Sequence, residues 1–334
     1  MHRSLSFLLT CSLIACALAG AAPLFADAFW LFELPGHFRF QLSVVAVLTT
    51  LGFIRLRAWR HVALSVILTG LLSAPVLSLW IPSTSASTSD RALRLFTLNV
   101  GRDAAAVTTL IREQQPDIVG LVDVRPRLWE KLATLDALYP YRVVEPRGGS
   151  GLALLSRFPL ENVEVHPLLT RRFLVADLDV RGRRLAIALV HPNSPRSGSR
   201  AALRNRQLEA LAAFQRERPD RDVVMIGDFN TSPWSLAFQR FLVETRLRDA
   251  ATGFGYRPTW PAQWPLFGIP IDHCLVSNGI EVHDFRTAGP SGSDHLAIYA
   301  EISFGHVGEE VYRHGPAIRD RGVHVRNPQF SVHR

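Results

Sequence analysis

The sequence predicts a layered α/β domain that follows an N-terminal membrane anchor. Two observations carry this prediction. The first 81 of the 334 residues contain three strongly apolar stretches, whereas residues 92–304 alternate short β-rich runs with helical patterns. Strands mixed with helices over such a length indicate sheets that are buried beneath helices.

The anchor is predicted to contain about three transmembrane helices, at residues 4–25, 40–56 and 62–81. The first and third stretches have the length of roughly 20 residues that a helix needs to cross a bilayer, and the second is shorter. A soluble interpretation would require three consecutive helices that are apolar on every face, which a chain of this size rarely buries.

The orientation of the anchor follows from the basic residues in its loops. Arg55, Arg57 and Arg60 lie between the second and third stretches, which places that loop in the cytoplasm. The loop at residues 27–38 and everything after residue 81 are then outside. A cleavable signal peptide ending in ALAGAA (17–22) and a lipoprotein acylation site at residues 13–16 are alternatives that would also export the domain.

The remaining segments are assigned from composition and periodicity. Residues 82–91 are small and polar and are predicted to be a linker, and residues 305–334 are predicted to be a disordered basic tail. The predicted strands are 93–100, 117–124, 152–155, 173–180, 184–190, 222–226, 271–276 and 296–302. The predicted helices are 104–114, 200–216 and 233–245.

Cysteine content and charge exclude some classes of site. Cys274 is the only cysteine of the domain, so an intradomain disulfide and a cysteine-rich metal site are excluded. The net charge of +8 fits an anionic partner or a membrane surface. Lys131 is the only lysine and the arginines are scattered, so charge alone is weak evidence for nucleic-acid binding.

Several predicted strands end in a residue that can bind a metal or transfer a proton. These residues are Asn99, Asp123, His191, Asp228, Asn230, Asp272, Asp294 and His295. Each one alone is an ordinary turn residue, but together they fit a shared site, because open α/β sheets bind ligands at strand ends.

The residue types restrict the chemistry of such a site. Carboxylate and amide oxygens without cysteine favour Mg²⁺ or Mn²⁺, and the histidines leave zinc open. A metal beside an imidazole that is paired with an acid suggests hydrolysis of a phosphate ester. The sequence contains neither a GxSxG elbow nor a P-loop.

The order of these residues resembles the endonuclease/exonuclease/phosphatase superfamily. The matching segments are TLNV (97–100), PDIVGLVDV (116–124), GLALLSRFPL (151–160), HPNSP (191–195), GDFN (227–230), IDH (271–273) and SDH (293–295). With the apolar stretches ahead of them, they look most like a bacterial membrane-anchored branch. The resemblance implies a four-layer α/β/β/α sandwich and a multi-pass protein of the bacterial inner (cell) membrane, with its domain periplasmic or extracellular.

The resemblance also implies roles for individual residues. The metal ligands for Mg²⁺ (or Mn²⁺) would be Asn99, Asp123 and Asp294. The catalytic residues would be His191, Asp228, Asn230, Asp272 and His295. Asp228 and Asn230 would orient the attacking water and a phosphate oxygen, His191 would bind or protonate at the scissile phosphate, and His295 would pair with Asp272. Either Asp228 or His295 would deprotonate the water, and the sequence leaves this choice open.

Four positions leave alternatives open. Arg157 and Asn193 would bind substrate, with an ion pair and a turn as equally good roles, whereas Trp260 favours core packing over a substrate wall. The superfamily usually has Glu where this chain has Asp123. The shorter carboxylate leaves open a backbone shift, a bridging water or weaker metal binding.

The predicted function is that of a membrane-anchored, divalent-metal-dependent phosphoesterase. Its substrate would be a phosphate ester, with hydrolysis of a phosphodiester favoured, in nucleic acid or a phospholipid head group, and no obligate protein partner is evident. A binding module without catalysis, which recognises an anionic ligand or partner on the same fold, is the alternative.

Overall fold

The computed structural model of the chain describes residues 2–82, 92–145, 150–180, 182–218 and 221–304. Its helices are α1 (His2–Ala21), α2 (Leu34–His37), α3 (Arg39–Arg55), α4 (Trp59–Leu77), α5 (Ala104–Gln114), α6 (Pro126–Lys131), α7 (Gly198–Arg216) and α8 (Leu236–Thr245). Its strands are β1 (Leu93–Asn99), β2 (Ile118–Val122), β3 (Tyr141–Glu145), β4 (Leu152–Ser156), β5 (Glu161–Leu168), β6 (Arg171–Val180), β7 (Arg183–Val190), β8 (Asp222–Asp228), β9 (Arg248–Asp249), β10 (Asp272–Val276), β11 (Ile280–Ala288) and β12 (Ala297–Phe304). The predicted tail and, apart from Pro82, the predicted linker lie outside the described residues.

Two six-stranded sheets form the centre of the domain. Their strand orders are β11-β12-β1-β2-β4-β3 and β5-β6-β7-β8-β10-β9. One apolar core joins the sheets face to face, with Leu95 and Leu154 from the first and Ile187 and Ile226 from the second. Helices α5 and α6 cover the outer face of the first sheet, and α7 and α8 cover that of the second. This arrangement confirms the predicted four-layer sandwich.

A glycine in the middle of β2 lies where the two sheets pack against each other. All five residues of β2 are buried, because one face meets the other sheet and the opposite face meets helices. A Cβ atom at Gly120 would lie 2.7 Å from Ile226 Cδ1 and 2.8 Å from Leu189 Cδ1 in the other sheet. A larger residue at this position would require the ends of these two side chains to shift.

The eight predicted strands correspond to the eight interior strands of the two sheets. Four further strands, β3, β5, β9 and β11, were not predicted, and each lies at an edge of its sheet. An edge strand has a neighbouring strand on one side only, so many of its side chains contact solvent. Its sequence therefore lacks the continuous apolar run of an interior strand. The run ENVEVHPL of β5 has four exposed residues at its start and one buried residue at its end.

The N-terminal helices are apolar, and two or three crossings of a membrane are possible by length and composition. The two long helices are His2–Phe25 and Trp59–Trp80. A third crossing, at the predicted second stretch, would consist of Trp30–His37 and Arg39–Arg55, which meet at a bend of 65°. Hydroxyl pairs join the helices, since Ser12 Oγ lies 2.7 Å from Thr49 Oγ1 and Thr50 Oγ1 lies 3.2 Å from Thr69 Oγ1.

Candidate active site

Strand pairing brings the predicted polar residues to one end of the two sheets. In the first sheet, β1 and β2 are parallel and Asn99 is opposite Val122, the residue before Asp123. In the second sheet, β7 and β8 are parallel and Val190 is opposite Gly227, so the next residues, His191 and Asp228, lie side by side. Asp272 is directly opposite Asp228 across the antiparallel pair of β8 and β10.

Asp228 lies at the centre of the site and is almost fully buried, with 1% of its surface exposed. Its Oδ2 accepts a hydrogen bond of 2.8 Å from Asn99 Nδ2, and its Oδ1 accepts one of 2.8 Å from the backbone N–H of Asn230. Burial raises the pKa of the Asp228 carboxyl, and the charge of Asp272 raises it further. These contacts fix the orientation of the carboxylate.

The backbone around Asp228 requires a glycine before it. Gly227 has φ of +140°, and a Cβ atom there would lie 2.0 Å from the carbonyl oxygen of Val190 on the neighbouring strand. Asn230, two residues later, has φ of +52°, in the left-handed region that asparagine tolerates better than most residues. The GDFN segment therefore has the residues that this tight turn needs.

His295 and Asp272 form the predicted imidazole–acid pair. His295 Nδ1 lies 2.9 Å from Asp272 Oδ2, and its Nε2 lies 3.9 Å from Asp228 Oδ2. Burial disfavours the charged imidazolium, but Asp272 and Asp228 outweigh it and raise the pKa of His295 to about 9.

His191 has the opposite electrostatic environment. Its Nε2 lies 3.5 Å from Asp228 Oδ2, and Arg171 Nη1 lies 3.4 Å from its Nδ1. Burial lowers the pKa of His191 to about 4, so the neutral imidazole prevails at neutral pH. Because an arginine can only donate, Nδ1 accepts and the proton of the neutral ring is on Nε2, which faces Asp228.

The donors present fit a divalent cation. Asp123 and Asp272 each have a buried Oδ1 without a hydrogen-bond partner among the described residues. Burial raises the pKa of the Asp123 carboxyl, and the charge of Arg125 acts in the opposite direction. A bound cation would offset the free-energy cost of burying this negative charge. Asp228, Asp272 and His295 place one ligand atom each within 4.8 Å of one another. This cluster differs from the predicted set of Asn99, Asp123 and Asp294, which lines the cavity beside it.

A cavity of about 900 Å³ opens beside these groups. Seven of the predicted residues line it: Asn99, Asp123, His191, Asp228, Asn230, Asp294 and His295. Trp260 also lines the cavity and its Nε1 donates to Asp294 Oδ2 at 3.1 Å, so the expectation of core packing for this residue is wrong.

Two predicted substrate contacts do not join the cavity lining. Arg157 follows the end of β4 that pairs with the start of β2, so it lies at the opposite end of β2 from Asp123. There it forms an ion pair of 3.5 Å with Asp117, the alternative left open by the sequence. Asn193 Oδ1 accepts hydrogen bonds from Thr170 Oγ1 and Gln207 Nε2, which gives it the role of a loop-fixing residue.

Sequence reasoning missed residues from the N-terminal segment that reach the site. The predicted outer loop forms a 3₁₀ turn and α2, and Leu34, His37 and Phe38 line the cavity. His37 Nδ1 lies 2.8 Å from the Oγ of Ser232, which is two residues after the GDFN segment.

A buried ion pair holds the same loop. Arg204 of α7 is fully buried and donates to Glu33 Oε1 and Oε2 at 2.7 and 2.6 Å, and its Nη1 donates to the carbonyl oxygen of Asn230 at 2.9 Å. A signal for this contact exists in the sequence. Asp27 and Glu33 are the only acids in the first 82 residues, and both lie in this loop.

Comparison with known proteins places the chain in a family. Residues 96–295 match the model of the endonuclease/exonuclease/phosphatase family, which is more than half of the chain. The chain belongs to this family. The match contains every predicted site residue, from Asn99 to His295.

Similar proteins include uncharacterised and structurally known members. The uncharacterized protein YbhP of Escherichia coli (strain K12) is 31% identical over 207 residues, which is 57% of this chain and 75% of YbhP. A D. rerio TDP2 structure complexed with single strand DNA product has a TM-score of 0.55 at 17% identity, over 64% of this chain and 100% of that one. An endonuclease/exonuclease/phosphatase from Beutenbergia cavernae DSM 12333 has a TM-score of 0.53 at 21% identity, over 65% and 72%. At these identities the two structures show a shared fold.

Proposed function

We propose that this protein is a membrane-anchored phosphodiesterase that depends on Mg²⁺ or Mn²⁺ and acts outside the cytoplasm of a bacterial cell. The observation that carries the proposal is the buried Asp228, whose Oδ2 lies 3.5 Å from His191 Nε2 and 3.9 Å from His295 Nε2. Two imidazoles around one fixed carboxylate, beside further acids, suit water attack on a phosphate ester.

In this proposal different residues hold the cation and accept the proton of the attacking water. Asn99, Asp123 and Asp294 hold the cation, which when bound would offset the negative charge of the phosphate. Asp228 receives the proton of the attacking water, because its carboxylate is held by Asn230 and lies within reach of both rings. As the water oxygen bonds to phosphorus, the P–O bond to the leaving group breaks, and the released oxygen takes up a proton from solvent.

The two histidines have different tasks. The Nε2–H of His191 donates to a phosphate oxygen, since its Nδ1 is oriented by Arg171. His295 is kept in place by Asp272 and presents Nε2 to the cavity side of Asp228. The basic rim of the cavity, which includes Arg102, Arg125 and Arg200, would attract an anionic ester.

The test uses the full-length protein in detergent with Mn²⁺ and bis(p-nitrophenyl) phosphate. We expect hydrolysis that a chelator abolishes and that falls about 100-fold or more in His191→Ala and in Asp228→Asn. His283→Ala is the matched control, because His283 bonds Ser303 on the edge of the first sheet, and this variant should retain full activity.

Two other outcomes would contradict the proposal, and one of them would favour a binding module without catalysis. Unchanged hydrolysis in Asp228→Asn would place the chemistry elsewhere. Absence of hydrolysis with Mg²⁺, Mn²⁺ and Zn²⁺, together with retained binding of anionic ligands, would favour the binding module.

A further inference from the structure

The walls of the cavity differ in chemistry. One part is basic and consists of Arg102, Arg125, Arg171, Arg196 and Arg200. The apolar lining residues of the cavity include Leu34, Phe38, Trp260 and Ile269. A lining of this kind suits a substrate that has an anionic phosphate and an apolar portion.

The apolar wall is continuous with the membrane anchor. Leu34 begins α2 and Phe38 directly precedes α3, the helix that would form the middle crossing. The apolar portion of a substrate in the cavity would therefore lie next to the first turn of α3.

Beside the start of α3, the domain packs against the ends of the anchor helices. The backbone N–H groups of Gly253 and Gly255 donate to the carbonyl oxygen of Leu79, after α4, at 2.8 and 2.9 Å. Phe40 of α3 stacks on Tyr256 with ring centroids 4.2 Å apart. These contacts fix the cavity against the side of the anchor from which the chain enters α3.

A loop of the domain extends from the cavity beside this junction. Trp260 and Gln263 line the cavity before the loop and Ile269 lines it afterwards, and Trp260 and Ile269 are joined by a β-bridge. The loop tip, residues 264–267, reads WPLF. Gln41 Nε2 of α3 donates to the carbonyl oxygen of Gly268 at 3.0 Å, which places the base of the loop level with the start of α3.

The loop tip presents unusually exposed apolar side chains. Trp264, Leu266 and Phe267 are 65%, 82% and 63% exposed. Among the described residues of 92–304, Val243 is the only other large apolar residue that is more than 60% exposed. Tryptophan and neighbouring apolar residues beside a membrane helix are typical of a segment that lies in the bilayer interface.

From these observations we infer that the WPLF tip inserts into the bilayer surface and that the substrate is a phosphate ester of a membrane lipid. The lipid would move from the bilayer into the cavity between the tip and the start of α3, with its phosphate toward the arginines and its chains toward Leu34 and Phe38. This inference rests on the proposed phosphodiesterase function and adds the class of substrate.

The experiment compares three substrates with one preparation. The full-length protein is reconstituted with Mn²⁺ into vesicles of phosphatidylcholine and phosphatidylglycerol, and release of lipid head groups is measured beside hydrolysis of bis(p-nitrophenyl) phosphate and of a single-stranded DNA oligonucleotide. The variant carries Trp264→Ser, Leu266→Ser and Phe267→Ser, and Val243→Ser on α8 is the matched control.

We expect the native chain to release lipid head groups and to cleave lipid faster than DNA. In the triple variant the ratio of lipid to soluble-diester hydrolysis should fall about tenfold or more, because the tip loses its apolar contact with the bilayer. Val243→Ser should keep the native ratio, since its side chain lies on a helix of the outer layer.

Each failure has a separate meaning. Hydrolysis of the soluble diester without release of lipid head groups, or preferred cleavage of DNA, would overturn the lipid inference and leave the proposed function intact. Absence of hydrolysis of all three substrates would overturn the proposed function, and the lipid inference with it.

A second measurement is independent of catalysis. The fluorescence of Trp264 is obtained as the difference between the native chain and Trp264→Phe, and lipids brominated near the head group should quench it. Equal fluorescence in brominated and ordinary vesicles would show that the tip does not enter the bilayer, and would overturn the inference.

Discussion

Loss of the Glu33 charge is predicted to destabilise the protein far more than loss of a neighbouring exposed charge. The substitution Glu33→Gln keeps the size of the side chain and removes its charge. It leaves Arg204, which has 0% exposed surface, without the carboxylate that now lies 2.6 Å from its Nη2. Breaking one side of a buried ion pair costs about 3–5 kcal/mol, because the remaining charge is desolvated and uncompensated.

This cost can be converted into a shift of the unfolding temperature. A domain of this size loses about 2–4 °C for each kcal/mol, so Glu33→Gln should lower the midpoint by roughly 6–20 °C. The assay is thermal unfolding of the full-length protein in detergent, followed by circular dichroism. Activity should fall as well, because Arg204 also donates to the carbonyl oxygen of Asn230 in the site.

The matched control is a second ion pair between the same loop and the same domain. Asp27 pairs with Arg240 at 2.7 Å, but the two side chains are 64% and 59% exposed. Exposed pairs contribute about 0–1 kcal/mol, so Asp27→Asn should shift the midpoint by less than about 4 °C. Equal shifts for Glu33→Gln and Asp27→Asn would refute the view that the buried pair holds the loop onto the domain.

Three further predictions concern the site itself. Asp123→Glu should keep or raise Mn²⁺ affinity measured by calorimetry, because the longer carboxylate is the usual residue of the family, and loss of binding would contradict the metal assignment. Asp272→Asn removes the nearest charge that raises the pKa of His295, so NMR titration of the metal-free protein should show a lower pKa for this ring. The turnover with metal should fall by about 100-fold. An unchanged pKa would count against the His295–Asp272 pair. Gly227→Ala should lower the free energy of unfolding by about 2–4 kcal/mol in denaturant titrations, because the new Cβ would lie 2.0 Å from the carbonyl oxygen of Val190. A change below about 0.5 kcal/mol would show that the turn relaxes at little cost.

The sequence predicted the interior of the fold better than its edges. Interior strands such as β2 and β7 are buried on both faces and are visible as apolar runs, and α5 begins and ends at the predicted residues, Ala104–Gln114. The edge strands β5 and β11 escaped prediction because one side of each is open to solvent and their residues are mixed in polarity.

By itself the sequence determined which strand ends carry acids, amides and imidazoles, because these residues interrupt apolar runs along the chain. Only the tertiary structure decided which of them meet. Strand register places Asp228 opposite Asp272 and places Arg157 at the far end of β2. Packing of the N-terminal segment brings Glu33 beside Arg204, 171 positions away. The physical reason is that a pattern along the chain reports the burial of each residue, whereas contacts between distant residues depend on sheet pairing and on the docking of whole segments.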